Sequence, residues 1–135
     1  MSTFPLKIVT PDGLLFDGEA EKLIVRTTVG DMAVLAKHID CVAALGMGMA
    51  TVVAANGERK TAACIGGMLS VQNGNVTLVP TTFEWAESID AARAEASLHR
   101  AETILQKKDA SDTEIRLAQA RLRRALVRRS VASYK

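Results

Sequence analysis

The sequence predicts an α+β protein: an N-terminal antiparallel β-sandwich over residues 1–86, followed by a C-terminal antiparallel two-helix hairpin over residues 87–135. Three observations carry that expectation. Asn56-Gly57 and Asn73-Gly74 each sit between two strand-like runs, and Asn-Gly is the strongest short signal of a β-hairpin turn. Past Pro80 the apolar period lengthens from two residues to that of a helix. Charge turns over near the same point: residues 1–86 carry 6 Lys/Arg against 8 Asp/Glu, and residues 87–135 carry 11 against 7, so an acidic-leaning front precedes a basic tail.

Phe4, Leu6 and Ile8 alternate with smaller or polar residues, as on a half-buried first strand. "TPDG" at 10–13 reads as a turn, with Pro11 fixing φ and Gly13 free to take a positive one. "KLIVRTT" at 22–28 reads as a short β-branched strand, and the two Asn-Gly hairpins follow. "IGG" at 65–67 lacks the pattern of a phosphate loop and reads as a bulge or a close backbone approach within a strand. Short strands with turn signals every 8–12 residues point to a sandwich or barrel.

In the tail, Ala94, Leu98, Ala101 and Leu105 share one helical face, and Ile115, Ala118, Leu122 and Ala125 share another. Ser88 is a good N-cap for the first helix, with Asp90 in its first turn, where a carboxylate is favoured. "KKDASD" at 107–112 breaks the period, and Ser111 with Glu114 fits a capping box for the second helix. A short polar connection folds two such helices back antiparallel. Half of the inward positions are alanine, so each helix is favoured by itself while the two adhere weakly. A hairpin of this kind can open without either helix melting.

Several classes of function are disfavoured. No stretch approaches the roughly 18 apolar residues of a membrane span, and the N-terminus lacks the pattern of a secretory leader. Cys41 and Cys64 have no CxxC spacing and read as small buried hydrophobes in a reducing compartment, with a cytoplasmic protein as the default. His38 and His99 have no nucleophile and orienting carboxylate around them, and no metal-ligand cluster is present. His99 reads as a solvated helix residue. An enzyme acting alone is not expected.

The second helix carries the strongest chemical signal. Residues 116–129 hold Arg116, Arg121, Arg123, Arg124, Arg128 and Arg129 with no acid among them. Six arginines within 14 residues exceed what complementing the helix dipole requires, since each such contact contributes only about 0.3–1 kcal/mol. Six arginines point to an anionic partner, met by bidentate carboxylate or phosphate recognition. No aromatic residues interleave with them to stack bases, so an acidic protein surface or a nucleotide's phosphates explains the helix as well as nucleic acid does.

The stretch "ESIDAARA" at 87–94 adds a second signal. A cap accounts for its serine and aspartate, but not for Arg93 and Arg100 sharing a face two turns apart, or for Arg124 and Arg128 at i, i+4 on the partner helix. With the hairpin closed, two pairs of guanidinium groups are expected to converge from the antiparallel helices and, together with Asp90, to offer an acceptor for an amine and donors for phosphates. At this point the chain resembles the epsilon subunit of bacterial F-type ATP synthases over essentially its whole length. The markers are "IVTPDGLLFDGEAEKLIV", "GGMLSVQNGNVTLVP" and "IDAARA", the last matching the family pattern I/L-D-x-x-R-A.

The resemblance implies a non-catalytic rotor subunit at the cytoplasmic face of a bacterial cell membrane, reaching the membrane only through its complex. It implies that the sandwich binds the gamma subunit and the c-ring, with Asp31 and His38 at the contact. An extended hairpin would carry its basic helix to acidic catalytic beta subunits and inhibit ATP hydrolysis. The implied nucleotide site comprises Glu84, Ile89, Asp90, Arg93, Ala94, Arg100, Arg124 and Arg128. Asp90 would accept from the adenine amine, and the arginines would face the phosphates. No cofactor is required, ATP being a regulatory ligand, and no nucleic-acid partner is expected. One departure concerns "GDMAVLAKHID" at 30–40: the family often reads G-[DE]-x-G-I-x-P-x-H-A-P in this loop, whereas this chain has Ala33, Ala36 and Asp40 in place of a glycine and two prolines. A different loop shape is expected. A freestanding ATP sensor and a nucleic-acid-binding module remain the alternative readings.

Overall fold

The computed structural model of the chain describes residues 2–133 and divides into two compact units, with the boundary between Trp85 and Ala86. The first unit consists of β1 (Phe4–Thr10), β2 (Gly13–Thr27), β3 (Gly30–Leu35), β4 (Cys41–Ala44), β5 (Met47–Ala54), β6 (Arg59–Gln72) and β7 (Asn75–Trp85). The second holds a 3₁₀ turn (Ala86–Ser88), α1 (Ala91–Leu105) and α2 (Asp112–Ala132).

The strands form two layers that share their longest members. One layer runs β3-β2-β5-β6-β7 and the other β2-β1-β7-β6-β4. The segment 22–28 is therefore no separate short strand but the second half of a 15-residue β2, whose first half pairs with β1. Its register against β5 slips between Ala20 and Lys22, which bends the strand from one layer to the next. Among the described residues, β1 and β7 make the one parallel pairing among antiparallel ones.

β6 changes layers at Gly66-Gly67, where its neighbour switches from β5 to β4. Both glycines have positive φ, 68° and 98°. A Cβ on Gly67 would run into the carbonyl of Val79 on β7. The expected close approach is present; a bulge is not, because the pairing of β6 with β7 keeps one register on both sides. Leu6, Ile8, Leu23, Val25, Leu69 and Leu78 meet between the layers, each at most 1 % exposed. Burying each contributes about 1.5–3 kcal/mol.

The two Asn-Gly turns differ. Asn73 and Gly74 both have positive φ, 52° and 80°, making the two-residue type I′ turn expected of them. At Asn56-Gly57 only the glycine is left-handed, at 86°. There Gly57 N–H donates to the Ala54 carbonyl at 2.9 Å and Glu58 N–H to Asn56 Oδ1 at 2.9 Å, giving a longer connection in which the asparagine side chain replaces a backbone acceptor.

Residues 30–40, expected as a loop, are mostly strand β3 followed by a turn. His38 N–H donates to the Leu35 carbonyl at 3.2 Å and Lys37 takes φ 65°, the pattern of a type II turn with a lysine where glycine is favoured. Asp40 is bonded to a second turn: its Oδ1 accepts from Asn73 N–H at 2.9 Å.

In the second unit the first helix starts two residues later than expected. Asp90, not Ser88, is the N-cap, because Ser88 is taken up in the 3₁₀ turn. The capping box of Ser111 and Glu114 is present. Ala94, Leu98 and Ala101 of α1 and Ala118 and Ala125 of α2 are at most 4 % exposed, and Leu105, Ile115 and Leu122 are half-buried.

Lys37→Gly removes a left-handed L-residue that costs about 1–2 kcal/mol. After the extra chain entropy of glycine, a gain of about 0.5–1 kcal/mol is expected from the urea midpoint. A lower midpoint would contradict the turn geometry. Burial pushes the Cys64 thiol from an ordinary 9.0 up to about 12. Above about pH 9 the unfolded chain loses this proton before the folded one does, so this contribution to stability declines as pH rises from 9 toward 12. At pH 8 half-buried Cys41 should react with a thiol reagent in the native protein, while Cys64 reacts only after denaturation.

Candidate functional site

The chain enters α1 through Ile89 and Asp90. Ile89 is 2 % exposed, and its N–H donates to the Ala86 carbonyl at 3.2 Å, so the residue before the helix is held by the 3₁₀ turn. Asp90 has extended φ and ψ of −82° and 102°, and its Oδ1 accepts from Arg93 N–H at 3.0 Å. The cap uses one carboxylate oxygen. An ionised carboxylate has about four lone-pair sites, so capping leaves it capacity to accept from a ligand amine. The two roles are chemically compatible.

Ala94, one turn past the cap, is buried at the seam. Helical geometry assigns the arginines to flanks. At about 100° per residue, Arg93 and Arg100 lie about 80° and 100° to one side of buried Ala101, and Glu95 about 120° to the other. On α2, Arg128 and Arg124 lie about 60° and 100° to one side of buried Ala125, and Arg129 about 40° to the other. Arg129 Nη1 reaches Glu95 Oε1 at 3.5 Å, which makes those two flanks adjoin. The opposite side of the seam therefore carries Arg93, Arg100, Arg124 and Arg128 together. Arg93 and Arg100 are exposed, Arg124 and Arg128 half-buried. Glu84, the remaining residue of the expected set, lies on β7 in the sandwich unit, paired in register with Ala63.

Asp31 lies near the start of β3 and His38 in the turn that follows it, so they do not share one loop. Asp31 Oδ1 accepts from Arg26 Nη1 at 3.3 Å across the β2–β3 pair. The stem of Arg26 lies over Gly48, where any Cβ would clash with it. His38 Nδ1 is 2.7 Å from the Ile39 carbonyl and 4.0 Å from Cys41 Sγ. With a carbonyl as its partner, Nδ1 is the protonated nitrogen of the neutral ring.

Two features were missed from sequence. One is a row of exposed apolar side chains over three adjacent strands: Ala44, Met68 and Val79 are direct cross-strand neighbours, with Val42 on the same face. Alternation along each strand hinted at it, but pairing assembles it. The other is the Glu95–Arg129 pair, which joins two helices and has no local spacing to signal it. Among the described residues, no group of His, Cys, Asp and Glu could hold a metal ion, and no helix is long and apolar enough to cross a membrane.

Comparison with known proteins identifies the family of the two modules. A family model described as the β-sandwich domain of the ATP synthase delta/epsilon chain matches residues 3–86, and one described as its long α-helix domain matches residues 87–133. The class is thus a delta/epsilon chain of ATP synthase. An ATP synthase epsilon chain of Bacillus velezensis is 42 % identical over 132 residues, 98 % of each chain, and one of Ruminococcus albus is 38 % identical over 136 residues, spanning both chains fully. The chain belongs to the epsilon-chain family of ATP synthases, as a subunit of that complex. Among solved structures, a chain of the Euglena gracilis mitochondrial ATP synthase superposes with TM-score 0.85 at 22 % identity, covering 100 % of this chain and 83 % of that one, a likeness of fold alone.

The cap is separable from any ligand role. Asp90→Ala should destabilise the hairpin unit by about 1 kcal/mol, while Asp90→Asn should change it by a few tenths at most. Thermal unfolding followed by circular dichroism at 222 nm measures both, and equal losses would show that the cap is not what Asp90 contributes.

Proposed function

We propose that the chain is a non-catalytic rotor subunit in which residues 1–86 form the anchoring domain and residues 87–135 a regulatory one. The sandwich docks on the gamma subunit and the c-ring at the cytoplasmic face of a bacterial cell membrane. The closed hairpin binds ATP; the extended hairpin carries α2 to the acidic surface of the catalytic beta subunits and inhibits ATP hydrolysis. The observation that carries this reading is the gathering of Arg93, Arg100, Arg124 and Arg128 along one side of the seam, which begins one turn past the Asp90 cap. Four guanidinium groups there supply paired donors for phosphate oxygens. Ligand binding that requires both helices favours the closed state by its differential affinity alone.

The apolar row of Val42, Ala44, Met68 and Val79 supports docking on gamma, because an exposed apolar patch on a sheet face fits the core of a protein interface. Asp31 near the start of β3 and His38 in the turn after it are proposed as contacts. The relatives carrying the same two modules are subunits of ATP synthases by name, which supports the choice of partners.

One set of measurements tests both halves. Trp85 is the only tryptophan and immediately precedes the hairpin unit. ATP titration of the chain should change its fluorescence saturably and the response should vanish in Arg93→Ala, with calorimetry as a check. Absence of binding at several millimolar would sink the nucleotide role. Val42→Asp should abolish co-purification with gamma, and Arg124→Ala with Arg128→Ala should raise ATP hydrolysis by the assembled complex. Retained co-purification or unchanged hydrolysis would refute the corresponding half.

A further inference from the structure

The flank of the hairpin away from the arginine quartet carries its own charged cluster. Glu95 Oε1 lies 3.5 Å from Arg129 Nη1 on α2 and 3.5 Å from His99 Nε2 one turn along α1. The three side chains are between 43 % and 69 % exposed, so water screens them and the cluster is modest in strength. It matters because of where it sits. Half of the inward positions of the seam beneath it are alanine, which supplies little adhesion, so a pair bridging the helices weighs more than it would over an all-leucine seam.

The two partners of Glu95 behave differently when the hairpin opens. Arg129 is on the other helix and must leave. His99 is on the same helix at i, i+4 and stays beside Glu95 in either state. Opening thus removes the Arg129 contact and leaves the His99 one in place on α1, and it delivers a guanidinium from Glu95 to whatever carboxylate α2 meets.

We propose that Glu95 is a built-in clasp for α2: in the closed hairpin it occupies Arg129 and withholds it from the carboxylates of an acidic protein surface, on the side of the seam that nucleotide does not use. The partner half rests on the reading of α2 as the arm that meets such a surface. The clasp itself needs neither nucleotide nor partner.

Amide hydrogen exchange across α1 and α2 in the nucleotide-free full chain tests the clasp. Glu95→Gln and Arg129→Gln should each speed exchange about two- to five-fold, the scale of an exposed ion pair. The double variant should be no faster than either single one, and the swap Glu95→Arg with Arg129→Glu should return toward the wild-type rate. Glu102→Gln, at an exposed position on the same helix, should change nothing. Additive effects of the two single variants, or an unchanged rate in Glu95→Gln, would overturn the clasp. Binding of a decaglutamate peptide tests withholding: Glu95→Gln should bind it several-fold more tightly than wild type, and equal affinity would overturn that part. Failure of the inhibitory reading would appear elsewhere, as undiminished inhibition by Arg129→Gln in the assembled complex with the exchange results intact.

Discussion

Alanine at the seam of the helical hairpin is the constraint on which the second unit depends. Ala94 and Ala101 recur seven residues apart on α1, as do Ala118 and Ala125 on α2, and all four are buried. A methyl group removes little surface from water, at about 25 cal/mol per Å², so the seam holds the helices in register without holding them strongly. Small residues also let the helices lie close enough for side chains on their flanks to reach one another, as Glu95 and Arg129 do. Charge on the flanks therefore adds a contribution of about 0–1 kcal/mol that is noticeable beside a seam half made of alanine. Helical propensity is left intact, because alanine and arginine are both strong helix formers.

The sandwich is built on the opposite principle. Its long strands serve both layers, so local movement of one layer is transmitted to the other. β2 turns the corner by a register slip at Ala20–Lys22, and β6 does so with two left-handed glycines and no slip at all. Gly67 is required twice over, by its φ and by the Val79 carbonyl against it. A similar bareness at Gly48 seats the stem of Arg26 and leaves its guanidinium at Asp31. Such a unit suits a platform, while the alanine hairpin suits a moving part.

The segment at 36–40 illustrates how a turn survives without its usual residues. Lys37 takes a left-handed conformation at some cost, and the turn closes through His38 N–H and the Leu35 carbonyl all the same. Asp40 then ties the segment to the type I′ turn by accepting from Asn73 N–H. A carboxylate bonded to a distant backbone can stand in for proline by a different route, tethering the segment in space where proline fixes a local φ.

Sequence alone determined the two modules, the alternation of β1, the Asn73-Gly74 turn, the capping box at Ser111 and the alanine faces of both helices. Each of these is encoded within a few residues, by side-chain period or by a backbone conformation that only particular residues adopt. It misjudged the start of α1, since the choice between Ser88 and Asp90 depends on the 3₁₀ turn before them, and it divided β2, whose halves differ only in which strand lies beside them. The arginines of the candidate site were legible one helix at a time. That Arg93 and Arg100 share a side with Arg124 and Arg128, that Glu95 meets Arg129, and that Val42, Ala44, Met68 and Val79 form one row were decided by tertiary structure. Helix flanks and strand partners are brought together only when residues far apart in the chain pack, and no local pattern records which neighbours they will find.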